Sequence, residues 1–434
     1  MAAKTAPAPT RTGALVRMAA GVSALALTGQ LTLVAAIPVL TRLYSPEDFG
    51  IFTIYLSVVN ILGAIAGLRF STSLYVVEDR AGALIALKLV LLAVCGTSLV
   101  VLTAGYLLSA MMPPSLQHLV CLVPIGMAAV GVADAMNCWC LRFNHIRDFG
   151  MGRLILPATM ALLQVGFGLA GIGDDAMVRA HILSQVVLIA FLCIRLLKWE
   201  DIRHIKQASW QSVAATARRE YKFPLFELPS AFVGFAIINL PAIFIGSLFG
   251  TAFAGHFGVA ARLVTGPVTL IALPLSNVFV AEASKGFDRQ HLLSTAFGLL
   301  AVAAVLIALP VLGLGFVSPF VVVPLLGPSW MPTGQIMAAL ALMCAAQALS
   351  TPIQEVPTLF RRQELRLAVD VVRAMFVFAP LLIGARLGQD PLQVIFAMAA
   401  GGATGYTLGI AVALILLSRP GGARPSGAPV NGPV

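Results

Sequence analysis

Charged residues are scarce in this chain of 434 residues: they make up 11% of it, against 59% hydrophobic residues. Soluble globular domains usually carry about a quarter charged residues. The mean hydropathy is +0.94, and a water-soluble protein of this size could not bury so many apolar residues in its core. The shortage of charge therefore excludes a water-soluble globular protein and predicts one that spans a membrane.

Long apolar stretches take the place of polar surface. About 20 consecutive apolar residues cross a bilayer as an α-helix, because backbone groups in lipid must pair within their own segment. The sequence predicts an all-α polytopic membrane protein with twelve spans, at residues 19–41, 49–68, 83–108, 118–141, 153–172, 180–198, 223–249, 254–281, 291–314, 332–358, 366–386 and 391–418. The short apolar segment 316–326 contains Pro319 and Pro324 and is predicted to form an interfacial or re-entrant turn.

The basic residues lie almost entirely on one side of this arrangement. With both termini in the cytoplasm, the predicted outside loops contain only Arg42, Arg179 and Arg386, and Arg262 lies within a span. This asymmetry is what the positive-inside rule describes, so we expect a multi-pass protein of the bacterial inner membrane. The formal net charge of +10 is spread over cytoplasmic patches that can meet anionic lipids, and no nucleic-acid partner is expected.

The longest polar connection divides the chain into two halves of six spans. We predict an N-terminal lobe at 1–197, a cytoplasmic linker at 198–222, a C-terminal lobe at 223–418 and a disordered tail at 419–434. An even number of spans lets both halves enter the membrane in the same sense, so a pseudo-two-fold axis along the membrane normal is expected to relate the lobes. A weak repeat supports this, since Phe49-Gly50 follows the first span and Phe257-Gly258 follows the seventh.

Several motifs resemble a known family of transporters. The first outer hairpin resembles that of Wzx-type polysaccharide exporters, the oligosaccharide flippases of the multidrug/oligosaccharidyl-lipid/polysaccharide (MOP) superfamily; it reads Arg42-Leu43-Tyr44-Ser45-Pro46-Glu47-Asp48-Phe49-Gly50-Ile51-Phe52. Other segments are similar to later parts of the same family: Gly67-Leu68-Arg69-Phe70, Tyr221-Lys222-Phe223-Pro224, Leu240-Pro241, Leu248-Phe249-Gly250 and Gly327-Pro328-Ser329-Trp330. Ser71 stands where the family often has glutamate, so no role for that carboxylate is carried over.

The resemblance implies a MATE-like fold and the movement of lipid-linked sugars across the inner membrane. On that basis we expect a flippase that translocates polyprenyl-diphosphate-linked oligosaccharide by alternating access, for the synthesis of O-antigen, capsule or exopolysaccharide. The alternative is a MATE-like multidrug or small-solute cation antiporter. An acidic, aromatic cavity would favour the antiporter, whereas a cavity that carries a cation would favour the flippase.

Polar side chains recur at helical spacing in five spans, and the seventh carries Glu227, Ser230 and Asn239. An ionisable group at mid-membrane costs at least about 2.5–3.5 kcal/mol, so it normally faces a cavity or a partner. A guanidinium stays protonated and binds phosphate oxygens in a forked geometry. We predict a substrate cavity lined by Arg262, Arg69, Asn60, Thr265, Thr269, Gln347 and Asn239. The alternative for the neutral residues is that they join helices to one another.

Two carboxylates are placed for coupling to an ion, either H+ or Na+. Asp134 lies in the fourth predicted span and Glu355 in the tenth, where burial would favour proton uptake and release. The alternative is structural ion pairing, of Asp134 with Arg142 and of Glu355 with Arg361 or Arg362.

Catalytic and metal-binding patterns are not found in the sequence. The six cysteines lie in apolar runs, no histidine or carboxylate completes a tetrahedral set beside Cys138 and Cys140, and the outer loops are short. We therefore expect neither an enzyme nor a bound metal or cofactor. The expected partners are lipid-linked oligosaccharide, membrane lipids and the coupling ion, with the protein acting as a monomer.

Overall fold

A computed structural model describes residues 11–75, 77, 79–111, 114–173, 175–285, 289–360 and 362–418, without the side chains at 11–20, 114–115, 267, 269–270, 284–285 and 363. The predicted tail at 419–434 lies outside the described residues. Regular secondary structure in these ranges is helical throughout. The helices are α1 (Arg11–Leu43), α2 (Pro46–Ala66), α3 (Phe70–Ser73), α4 (Arg80–Leu108), α5 (Pro114–Gln117), α6 (Leu119–Arg142), α7 (Ile146–Leu169), α8 (Ala176–Leu196), α9 (Trp199–Gln207), α10 (Trp210–Arg219), α11 (Leu228–Phe249), α12 (Thr251–Lys285), α13 (Arg289–Ala303), α14 (Leu309–Leu326), α15 (Met331–Ser350), α16 (Val356–Leu359), α17 (Gln363–Arg386) and α18 (Pro391–Ser418).

The number of membrane spans agrees with the sequence. Within the described ranges, eleven helical segments are long and apolar enough to cross a bilayer. A twelfth is formed if the two arms of α12, Thr251–Gly266 and Ile271–Ala283, make one span across their 42° bend. Each predicted span overlaps one of these segments, so the all-α class with about twelve spans is confirmed.

The prediction of a turn at 316–326 is wrong, because these residues continue a helix. Arg289–Leu326 is helical over 38 residues, with a π-helical turn at Ala304–Ala308. Pro319 has no N–H for the carbonyl of Gly315, but the hydroxyl of Ser318 donates a 2.8 Å hydrogen bond to that carbonyl. A neighbouring hydroxyl thus satisfies the group that the proline leaves unpaired, and proline is tolerated in a membrane helix on that condition.

The contacts divide the chain into two compact units. The first contains the described residues up to Tyr44 together with Ile51–Leu240, and the second contains Ser45–Gly50 and the described residues from Pro241 onward. Residues 223–240, which the sequence assigns to the C-terminal lobe, group with the first unit. The lobe boundaries themselves remain a prediction.

Each unit has its own apolar core. In the first unit, buried side chains of α4, α6 and α8 cluster around Trp139 and Leu87. In the second, Phe279 and Ile353 form a smaller cluster with residues of α13 and α18. Many large apolar side chains remain exposed, among them Ile194 and Phe316, which are 81% and 78% exposed. Exposed apolar surface on that scale is what a lipid environment covers.

The short segment Ser45–Gly50 packs closely against the start of α12 within the second unit. A β-carbon at Gly50 would overlap the carbonyl of Thr251, and one at Gly255 would overlap the carbonyl oxygen of Pro46. The ring of Phe49 also meets Trp330 edge-on, with centroids 5.0 Å apart. Glycine is therefore required at these two positions because the backbones approach too closely for any side chain.

Candidate functional site

An open cavity of about 670 Å³, with both polar and aromatic side chains in its lining, lies where α2 ends. Leu68 and Arg69 adopt left-handed backbone conformations, with φ of 50° and 58°, which stop α2 and turn the chain into α3. The turn directs Arg69 into the cavity. Its lining comes entirely from the first unit and comprises Arg69, Thr72, Tyr75, Phe223, Phe226, Glu227, Ser230 and Ala231.

Arg69 and Glu227 form a loose ion pair at this cavity. The Nε of Arg69 lies 3.8 Å from Oε2 of Glu227, and the two side chains are 23% and 42% exposed. The same carboxylate oxygen is 2.9 Å from the hydroxyl of Thr72. The Nε of Arg69 is buried and has no hydrogen-bond acceptor among the residues that the structure describes. Because Nε itself is closed to solvent, a ligand in the cavity would have to meet the other nitrogens of this guanidinium.

Glu227 is positioned by an unusual helical turn. Residues Phe223–Glu227 form a π-helical turn in front of α11, in which the N–H of Leu228 bonds to the carbonyl of Phe223. Such turns hold one extra residue and are frequent at functional sites. The turn places Glu227 and the rings of Phe223 and Phe226 in the lining of one cavity.

Asp134, a predicted coupling residue, lies close to this cavity but not with its predicted structural partner. The hydroxyl of Ser71 donates a 2.7 Å hydrogen bond to Oδ2 of Asp134. Arg142 instead donates from its Nε to the carbonyl of Val77 at 2.8 Å. The described contacts of Asp134 and Arg142 thus do not include the alternative pairing between them. Asp134 thus contacts Ser71, the position at which the resembling family often has glutamate.

Two further predicted cavity residues contact each other in the first unit. The side-chain amide of Asn60 on α2 donates to that of Asn239 on α11 at 3.3 Å. Asn239 also donates to the carbonyl of Phe235 in its own helix at 2.9 Å. This geometry joins α2 to α11, as the helix-joining alternative describes. Whether the pair also meets substrate stays a prediction.

The other predicted cavity residues lie in the second unit. Arg262 and Gln347 are half-buried, on α12 and α15. The hydroxyl of Thr265 donates to the carbonyl of Ala261 in its own helix at 2.7 Å. The side chain of Thr269 lies outside the described residues. The structure thus separates the predicted set into groups in the two units, and their common role remains a prediction.

Glu355 forms an ion pair, but not with the predicted arginines. Its carboxylate accepts a hydrogen bond from Arg366, which also donates to Thr358 at 3.2 Å. Arg362 lies 3.6 Å from Glu364, and Arg361 lies outside the described residues. The pairing of Glu355 with Arg362 is therefore wrong, because α17 brings Arg366 to the carboxylate.

A small cavity of about 40 Å³ adjoins this ion pair in the second unit. Its polar lining includes Ser350, Gln354, Arg366 and Asp370. Arg373 also lines it and donates to Asp370 at 2.8 Å. A volume of this size holds only a few water molecules, so it cannot receive a sugar or a drug.

The part of the chain that the structure describes contains no ligand set for a metal ion. No group of three histidine, cysteine, aspartate or glutamate side chains there could hold a metal ion. Three of the free cysteines, Cys138, Cys140 and Cys344, are buried as apolar residues.

The fold is that of the MOP-superfamily transporters. A MATE-family multidrug resistance transporter in an inward-facing conformation is 16% identical with a TM-score of 0.59, covering 92% of this chain and 100% of its own. The lipid II flippase MurJ in an inward closed conformation is 12% identical with a TM-score of 0.64, covering 92% and 87%. A MOP-superfamily transporter from Pyrococcus furiosus is 14% identical with a TM-score of 0.59, covering 94% and 96%.

The chain belongs to the polysaccharide biosynthesis protein family, whose model matches residues 39–335. No protein with a curated description is a significant match. The family match and the shared fold agree with the resemblance to polysaccharide exporters that the sequence indicates, which is thereby confirmed.

Glu227 lines the cavity, but it is not among the cavity residues predicted from the sequence. The sequence places it in a polar stripe of the seventh span, yet Arg69 is 158 positions earlier. The two come together only because the π-helical turn and α3 contact each other. One signal in the sequence could have found Glu227. It lies within a span in which no basic residue stands at helical spacing from it, and such a carboxylate needs a partner from another helix.

Proposed function

We propose that the protein translocates a polyprenyl-diphosphate-linked oligosaccharide across the bacterial inner membrane by alternating access. The observation that carries this proposal is the position of Arg69, a permanent cation, in the lining of an open cavity. Membership of the polysaccharide biosynthesis family supports a sugar-bearing substrate. The fold shared with a lipid II flippase supports a lipid-linked one.

The cavity has the chemistry that such a substrate requires. A diphosphate accepts forked hydrogen bonds from a guanidinium, which stays charged in a partly dry environment. Thr72 and Ser230 offer hydroxyl groups to the sugar. Phe226, which is 67% exposed, offers an apolar surface along which the prenyl chain can pass into lipid.

The rest of the expected machinery belongs to the proposal. Arg262 would attract the same diphosphate on its way across the membrane, and Asp134 and Glu355 would couple the movement to H+ or Na+. The protein would act as a monomer in the inner membrane, with both termini in the cytoplasm. The basic residues near the predicted cytoplasmic ends of the spans support that orientation.

A second candidate function is a MATE-like antiporter of organic cations. It is favoured by the carboxylate of Glu227 and by three aromatic residues, Tyr75, Phe223 and Phe226, that line the same cavity. A cation between a carboxylate and aromatic faces gains both charge pairing and cation–π attraction. The decisive question is therefore whether Arg69 or Glu227 provides the charge that substrate meets.

A deletion strain tests the two functions directly. The flippase predicts that lipid-linked oligosaccharide accumulates on the cytoplasmic leaflet and that the wild-type gene clears it. Arg69→Ala and Arg262→Ala should fail to clear it while inserting normally, and Arg386→Gln, an exposed arginine elsewhere, serves as the matched control. Normal polysaccharide export together with increased sensitivity to cationic drugs would instead support the antiporter.

A further inference from the structure

Two short helices between the spans carry a one-sided polar surface outside the lining of the described cavities. The segment 198–222 contains α9 and α10 and holds six basic and three acidic residues. Its two tryptophans, Trp199 and Trp210, are each 70% exposed. Large exposed indole rings beside basic residues are expensive in water, but they are favourable at the level of lipid head groups.

One face of this segment is fixed to the first unit. The carboxylate of Asp201 accepts hydrogen bonds of 2.9 and 2.6 Å from the Nε and Nη2 of Arg80, at the start of α4. The same carboxylate accepts a 2.7 Å hydrogen bond from the backbone N–H of Lys198 and so caps α9. The guanidinium of Arg80 in turn lies 5.5 Å from the ring of Trp139. The start of α9 is therefore held by a buried carboxylate in a defined orientation.

A second anchor holds the junction between the two helices. The ammonium of Lys88 on α4 donates a 2.7 Å hydrogen bond to the carbonyl of Ala208 and lies 5.8 Å from the ring of Trp210. Val213 of α10 is buried in the core cluster of the first unit, and Ile205 of α9 packs against that cluster. The inner faces of both helices are thus committed to the first unit.

The opposite face carries exposed positive charge. Trp199, Arg203 and Lys206 stand at offsets of four and seven residues on α9, so they share one side of that helix, and all three are exposed. Arg218 and Arg219 are exposed at the end of α10. Two of the three acidic residues are already paired, Asp201 with Arg80 and Glu220 with Arg219. The exposed face therefore has an excess of positive charge.

We infer that α9 and α10 form a docking surface for the head groups of anionic phospholipids, with Trp199 and Trp210 inserted at the head-group level. The charge excess selects the anionic lipid, and the two indole rings supply the apolar contact. Because the inner faces are anchored to α4, this contact fixes the level of the lipid head groups relative to the spans of the first unit. The inference is independent of the transported substrate.

Quenching of tryptophan fluorescence tests the surface in the full-length protein. Wild-type protein is reconstituted into phosphatidylcholine vesicles that contain, at equal mole fraction, either brominated phosphatidylglycerol or brominated phosphatidylcholine. The other two tryptophans, Trp139 and Trp330, are fully buried and contribute little to quenching by lipid. We expect brominated phosphatidylglycerol to quench more strongly, and the excess to disappear in the Trp199→Phe, Trp210→Phe double variant.

Charge variants separate attraction to anionic lipid from general contact with the bilayer. Arg203→Gln with Lys206→Gln should lower the relative affinity for phosphatidylglycerol by about fivefold per residue. The matched control, Arg42→Gln with Arg386→Gln, removes two exposed arginines elsewhere and should leave the excess quenching unchanged. Raised salt should weaken the excess, because exposed charges are screened.

Three results would overturn the inference. The first is equal quenching by the two brominated lipids, which would mean that the surface does not select charge. The second is an excess that survives in the double tryptophan variant, which would place the anionic lipids elsewhere on the protein. The third is absence of quenching by either lipid, which would mean that the surface contacts a protein partner or water and not lipid.

Discussion

Replacing Glu227 by glutamine is expected to tighten the binding of a prenyl diphosphate, because the carboxylate competes with the ligand for Arg69. The two side chains are 42% and 23% exposed, and the atoms that pair them are 3.8 Å apart. An ion pair of that exposure is worth at most about 1 kcal/mol, so its removal should strengthen binding by about fivefold or less. Removing the guanidinium with Arg69→Ala should cost roughly 1.5–3 kcal/mol, or about 10- to 150-fold, because charge-assisted hydrogen bonds to phosphate are lost.

The measurement is calorimetric titration of the purified full-length protein with geranylgeranyl diphosphate. The double variant Arg69→Ala, Glu227→Gln completes the cycle and should bind as weakly as Arg69→Ala alone, since the glutamate acts through the arginine. Unchanged affinity in Arg69→Ala would refute the assignment of the diphosphate to this cavity. Reduced affinity in Glu227→Gln would refute competition between this carboxylate and the diphosphate.

Two further predictions concern stability. Gly255→Ala should lower the thermal midpoint in detergent by the equivalent of about 1–3 kcal/mol, because its methyl group would overlap the carbonyl oxygen of Pro46, whereas Gly298→Ala has open space and should be neutral or stabilising. The guanidinium of Arg80 holds the pKa of Asp201 below its ordinary value. The carboxylate therefore stabilises the fold above its ordinary pKa of about 4, and this stabilisation is lost as the pH falls through the lowered pKa. In the Asp201→Asn variant, the thermal midpoint should therefore fall less than in the wild type as the pH is lowered.

The all-α class and the number of spans could be predicted because lipid imposes strict local rules. A helix that crosses hydrocarbon needs a fixed length of apolar residues, and that length can be read directly along the chain. The exception at 316–326 is instructive. Two prolines indicate a break, but the hydroxyl of Ser318 reaches the carbonyl of Gly315 that Pro319 leaves unpaired. A side-chain hydrogen bond of this kind depends on three-dimensional geometry and leaves no periodic signal.

The candidate site could be predicted only in part, because its contacts join residues that are distant in sequence. Arg69 is recognisable from its place at the end of the second span. Its partner Glu227 is not, because a π-helical turn sets the direction of the carboxylate and hydropathy does not report such turns. Asp134 shows the same limitation, since Arg142 is the nearest basic residue along α6 and yet the bond is made by Ser71.

The neighbourhood of Arg69 gives a reason why a neutral residue at position 71 is compatible with this site. The described contacts place Asp134 on the hydroxyl of Ser71 and Glu227 next to Arg69. A glutamate at position 71 would stand directly against Asp134, and two carboxylates at hydrogen-bond distance cannot both be ionised at low cost. The hydroxyl accommodates the charge of Asp134 without adding another. The negative charge near Arg69 is therefore supplied by residues of α6 and of the turn before α11, and the sequence of the second span alone does not define it.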